Sequence, residues 1–182
     1  PQLLLSGGTL NLSGNVNTPL LTQTGGTLDG AGLLTLTGTG STWSGSSGTW
    51  TGGGTVRLLT GTNLALSGTS AGNNFAGRTL DIQAGASVTV AGEVELDAGA
   101  NAITNAGSLT LSGTRISHAF NSAGSLTLTN SGTLTKTGTG LFQFGSGSGD
   151  VNLINSGSVS VNGGTLNYGS GTGSSTGSFS VA

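Results

Sequence analysis

The chain contains no cysteine, so neither a disulfide framework nor a thiolate metal site is available to it. Charge is nearly as scarce. Only 5% of the 182 residues are charged, against about a quarter in an ordinary soluble domain, and the net charge is -2. Arg57, Arg78, Arg115 and Lys136 are the only cations and are widely spaced, so there is no basic stripe for nucleic acid and no basic patch for a membrane surface. Helical periodicity is missing too, since no window holds a 3.6-residue apolar spacing without a glycine or a β-branched run across it. No apolar run approaches the ~20 residues of a membrane helix, and the alternating segments fall short of the ~9–11 residues of a membrane strand. A soluble chain with no direct membrane insertion is expected.

What is abundant is glycine, with 37 residues, together with serine and threonine. Such a composition suits a flexible linker. Disorder, however, usually couples low hydrophobicity to high net charge, and the apolar residues here are ordered in sequence. They alternate with Thr and Ser at period two, the pattern of strands with one buried and one solvated face. NAGSLTLSG, residues 105–113, is the type cassette: a turn tripeptide, then Leu109 and Leu111 on one face and Ser108, Thr110 and Ser112 on the other. GGTLNLSG (7–14), GLLTLTG (32–38), GGTVRLL (53–59), NLALSG (63–68), AGSLTLTNSGTLTKTG (123–138) and NSGSVSVNGGTLNYG (155–169) vary it. The reading is all-β, with turns at 15–19 and 70–74 and a Trp-containing stretch at 38–54 that is either two weak strands or a loop. A short strand is expected over 119–121.

Repeats decide among the all-β architectures. Asn105, Asn130 and Asn155 each precede a glycine by two positions and stand 25 residues apart, whereas AGSLTL recurs after 17. Constant strand grammar with irregular spacing is what a coiled sheet produces, because insertions at corners leave the strands alone. Apolar pairs such as Leu10 with Leu12 are too short for a sandwich core but become continuous columns when coils stack. The expectation is one β-solenoid segment over residues 1–182, with roughly 20–25 residues per coil, about eight coils and a rod about 40 Å long at ~4.8 Å per coil. Glycine is expected at the corners for the tightly bent or left-handed backbone. If the three asparagines stack, their amides form a ladder along the axis. The alternative is that Asn simply tolerates the turn.

The run GLLTLTGTGSTWSGSSGTWTGGGTVRL, then GRTLDIQAGASVTV, ITNAGSLTL, SGTLTKTGTG and INSGSVSVNGGTLNYGSG, resembles the repeats of very large bacterial cell-surface and secreted β-solenoid proteins, the filamentous haemagglutinins and autotransporter passengers. The resemblance covers nearly the whole chain. It implies a right-handed parallel β-helix, export across the bacterial envelope to an extracellular or cell-surface location, and a non-enzymatic role as stalk, fibre or adhesive scaffold, with no catalytic motif to carry over. Such proteins are much longer, so an excerpt or a protomer continuing end to end is expected. The chain starts at Pro1 without a signal-peptide pattern, and any export signal is expected outside it.

Few residues compete for chemistry. Glu93, Glu95 and Asp97 alternate along one strand at ~6.6 Å, a spacing that suits a calcium ion or an inverting glycosidase pair, though a solvated face is the better reading. His118 stands alone and makes no His-cluster metal site. GSGSGDVNL (145–153) resembles a calcium-binding nonapeptide, but Ser146, Gly147 and Asn152 break the motif. No cofactor and no metal are expected. Trp43 and Trp50 would stack on sugar rings if exposed; filling the core is the commoner use of such residues. The rows Thr35, Thr37 and Thr39, then Thr127 and Thr129, then Thr133, Thr135, Thr137 and Thr139, would present hydroxyls and methyls to a cell-surface glycan or, as in solenoid antifreeze proteins, to ice. Threonine is also the ordinary polar choice for an outward strand position, and irregular coil spacing argues against a lattice match. End-to-end association with further copies is the expected partnership, since each end coil leaves a strand edge unpaired.

Overall fold

In a computed structural model that describes residues 1–69, 73–118, 124–145 and 151–182, the chain winds into a β-solenoid of three parallel sheets. Most of the turn expected at 70–74, the strand expected over 119–121 and most of the nonapeptide-like stretch lie outside the described residues. Each coil lays down one short strand per sheet. Gln2–Leu5, Thr9–Asn11 and Val16–Thr18 form the first coil, and every third strand thereafter returns to the same sheet. Eight such coils are followed by a first-sheet strand of a ninth, Ser178–Val181. No helix occurs among the described residues. Eight steps of ~4.8 Å make the first sheet ~38 Å long.

Coil length varies while register does not. From Gln2 to its partner Leu20 the chain advances 18 residues, from Asn63 to Ser87 it advances 24, and from Ser108 to Thr133 it advances 25. The shortest coils thus fall below the 20–25 expected. Insertions are absorbed at the corners, and inside the sheets like parity meets like parity. On the first sheet Leu64, Val88, Leu109, Leu134, Val159 and Phe179 stand in one inward file. Burying each such Leu or Val contributes about 1.5–3 kcal/mol, and the file supplies this without any strand exceeding six residues. The Trp-containing stretch is two strands, Ser41–Trp43 and Gly48–Thr51.

The interior is less uniformly apolar than the sequence pattern suggests. Gln23, Ser41, Asn73, Arg78, Asn101 and Lys136 are all buried. Lys136 occupies an inward place on the first sheet, between Leu111 and Val161 in register, and its ammonium donates to the carbonyls of Thr137, Gly138 and Gly163. Hydrogen bonds to backbone oxygens are what makes burial of such a group tolerable.

Arg78 lies at the corner between the second-sheet strand Asn73–Ala76 and the third-sheet strand Thr79–Ile82. Its guanidinium reaches back across two coils, donating through Nη1 to Thr51 O at 2.6 Å and Gly30 O at 3.1 Å, and through Nη2 to Gly32 O at 3.2 Å. Burial pushes the guanidinium below its usual range, and the Asp29 carboxylate partly offsets this. The side chain clips coils two, three and four together. Replacing it by methionine keeps the volume but strips donors from buried carbonyls, so Arg78→Met is expected to lose about 2–4 kcal/mol. Urea denaturation followed by Trp43 and Trp50 fluorescence reads that loss, because both indoles sit in the coil being clipped.

Candidate functional site

Three features of the coil bear on function: an axial file of asparagines, an aromatic cluster in the core, and a hydroxyl face without charge. Asn105, Asn130 and Asn155 occupy the last inward position of successive third-sheet strands, in register with one another. Asn105 Nδ2 donates to Asn130 Oδ1 at 2.7 Å and Asn130 Nδ2 to Asn155 Oδ1 at 2.7 Å. Asn155 Nδ2 continues the file to Ser175 Oγ at 3.1 Å. Each of the first two amides also donates to the carbonyl that opens the first-sheet strand following its partner asparagine, Thr133 O at 3.0 Å and Ser158 O at 3.2 Å. The three side chains are therefore buried cross-coil connectors closed to solvent, and the file ends at Asn105 Oδ1, a buried acceptor without a hydrogen-bond donor among the described residues.

Trp43 and Trp50 are fully buried, which removes them from any sugar-facing surface. They lie on two sheets of the same coil and stack with ring centroids 4.2 Å apart and planes 9° from parallel, with Phe75 of the next coil against both. Trp50 Nε1 donates to the buried Gln23 at 2.6 Å, whose own amide donates to Gly26 O at 3.1 Å. The pair fits because Gly48 has no side chain: a Cβ there would collide with the Trp43 indole nitrogen. The cluster fills the interior of the third and fourth coils.

Two of the three carboxylate candidates face a cation, and the third caps a turn. Glu93 stands opposite Arg115 in the next coil and forms an ion pair with it, while Glu95 lies 4.0 Å from the same guanidinium. Asp97 accepts a hydrogen bond from the Ala98 amide at 2.8 Å. A cation between Glu93 and Glu95 would have to displace Arg115, and among the described residues no group of three or more metal-ligating side chains converges. His118 closes the second-sheet strand Arg115–His118, in register with Leu96.

The threonine rows do not share one surface. Thr35 is only 8% exposed, standing in register between Asn17 and Arg57, and so leaves the set of ligand-facing residues. Thr37 and Thr39 are exposed beyond the strand, at the corner that leads to the first sheet. Thr127 and Thr129 belong to the third sheet, where Asn152 and the exposed Ile154 follow them. Thr133 and Thr135 belong to the first sheet, with Thr137 one step past the strand end. There the outward rows are regular: Thr89, Thr110 and Thr135 lead on to Ser160 and Ser180, and Ser87, Ser108 and Thr133 lead on to Ser158 and Ser178. Among the described residues no charged side chain points outward from this sheet. Asp29, Glu93, Glu95 and Arg115 lie on the second sheet, and Arg57 pairs with Asp81 at 2.7 Å on the third.

At the far end the inward files open to solvent. Phe179 and Val181 are 61% and 81% exposed, and with Val161, Leu166 and Tyr168 they line an apolar concavity of about 400 Å³. Comparison with protein-family models, with curated proteins and with solved structures finds no match to this chain.

Proposed function

We propose that this chain is a non-catalytic, load-bearing rod segment of a bacterial extracellular fibre or cell-surface stalk, whose partner along the axis is a further coil of the same kind. The observation that carries the reading is the continuity of the stack. Inward files run from coil to coil without a break in register, and the Asn file and the Arg78 clip cross coil boundaries with side-chain hydrogen bonds. Tension along the axis is thereby shared among backbone ladders in three sheets and the connectors inside them. Phe179 and Val181 extend the same files into solvent, which favours addition of another coil at that end. The extracellular setting rests on the resemblance of the repeats.

Cryo-electron microscopy of the concentrated protein is the test. Rods that lengthen in steps of about 38 Å, with a ~4.8 Å axial repeat, are expected. Phe179→Asp should shorten them to single units. Short monodisperse rods at every concentration, unchanged by that substitution, would remove end-to-end association from the reading.

A further inference from the structure

The first sheet differs from the other two in what it lacks. Its outward positions carry serine, threonine and a few other small or neutral side chains, with Leu4 and Leu20 in the first two coils, whereas among the described residues every charged side chain that points outward from a strand lies on the second or third sheet. The rows extend past the strand ends, since the amides of Ser67, Ser112 and Thr137 continue the ladder by hydrogen bonding to the coil below. The face is straight in register over nine strands despite unequal coil lengths, which removes the objection that irregular spacing forbids a periodic contact.

We propose that this face is a lateral docking surface for a second copy of the chain, joining two rods side by side; the proposal rests on the rod reading above. Three observations favour that occupant. A second copy has the same ~4.8 Å row spacing by construction, so rows mesh with rows in either direction of the rods. An unlike lattice must match by coincidence. Small hydroxyl and methyl side chains let two sheets approach closely and interdigitate, as in dry paired-sheet interfaces, and no charge has to be desolvated. Pairing through either of the other sheets would cover Arg57 and Asp81, or Glu93, Glu95 and Arg115. Finally, nine strands at ~4.8 Å by about five residues at ~3.3 Å give roughly 700 Å² per copy, or about 1,400 Å² in all, inside the range of a specific interface. A glycan site would instead be concave and carry aromatic rings, and this face has neither.

Full overlap sets the fifth coil of one copy against the fifth coil of the other, with Thr89 near the centre. Because the chain has no cysteine, a single introduced thiol reports contact cleanly. In the Phe179→Asp background, which keeps end association out of the measurement, Thr89→Cys is expected to be joined by a short bis-maleimide at least tenfold faster than Thr104→Cys on the third sheet. Sedimentation velocity should show a concentration-dependent dimer that Thr89→Arg abolishes while the β-sheet circular dichroism stays unchanged. Equal cross-linking at the two sites, or sedimentation indifferent to Thr89→Arg, overturns the proposal. So does a chain that stays monomeric and adsorbs through this face to ice or to an insoluble neutral polysaccharide. Lateral pairing widens the particle and end association lengthens it, so either can fail without the other.

Discussion

Gly132→Ala is expected to cost about 3 kcal/mol or more, an unusually large effect for one added methyl group. The residue sits at the corner from the third sheet to the first, in the file Gly107, Gly132, Gly157 and Gly177. None of the four has a positive φ, so the need for glycine is steric. A Cβ on Gly132 would overlap the carbonyl oxygen of Gly107 and lie 2.7 Å from the carbonyl carbon of Ala106. Neither partner can retreat. The Gly132 amide donates to Asn105 O at 2.9 Å, and Gly132 O accepts from Ser158 N at 2.9 Å, so the corner is tied to the coils on both sides. Gly140→Ala, in the same coil, is the matched control: its Cβ would meet nothing within 4 Å and its φ is ordinary, so a change within about 0.5 kcal/mol is expected. Amide hydrogen exchange is the suitable readout, because an array of coils opens in sections and a single unfolding midpoint would blur the comparison. Faster exchange confined to coils six to eight in Gly132→Ala, and absent in Gly140→Ala, is the expected result.

These corners mark where the sequence was legible and where it was not. The period-two alternation identified the strands, and the 25-residue step between Asn105, Asn130 and Asn155 identified the coil, because both are local patterns. Glycine at the corners was legible as well, but the reason read from the sequence was a left-handed or tightly bent backbone, a property of the turn itself. The left-handed backbone is found at Gly26 and Gly30, with φ of 72° and 90°, and not at the file through Gly132, where a neighbouring coil leaves no room for a Cβ. Close approach of one coil to the next depends on a neighbour some 25 residues away, which no local window contains.

Parity held a further signal. Gln23 shares parity with Leu21, Arg78 with Leu80, Asn105 with Ile103 and Lys136 with Leu134, and all four polar residues are inside. A polar residue at an apolar parity points inward, and for each of these four at least one partner lies one or two coils away. Which strands share a sheet was harder to read. It requires counting every third strand through coils of unequal length, so the Thr127 and Thr133 rows looked like one surface although they lie on different sheets. The pairing of Glu93 with Arg115, across 22 residues, was hidden for the same reason. The uncharged first sheet emerges only once the coils are closed.

Asn130→Asp should convert the middle of the asparagine file into a pH-dependent element. Asn130 donates through Nδ2 to Asn155 Oδ1 and accepts through Oδ1 from Asn105 Nδ2. An ionised carboxylate can still accept from Asn105 but sets a second acceptor against Asn155 Oδ1, in a site closed to water. Leaving such a charge buried without a counter-ion costs about 3–5 kcal/mol at neutral pH. Protonation restores one donor and removes the charge, so burial and the facing acceptor both raise the folded-state pKa above the unfolded value of about 3.9. The sign follows from linkage. A raised folded pKa gives stability that is fully present below the unfolded pKa and is lost as the pH climbs through the folded one. The variant should therefore come closest to the parent near pH 3.5 and fall progressively behind it toward pH 7. Asn130→Ala removes donor and acceptor without adding a titrating group, and its deficit should stay constant across that range. Paired urea titrations at a series of pH values distinguish the two. A deficit in Asn130→Asp that does not change with pH would mean that the side chain has swung out of the file, and that the corner tolerates an open rung.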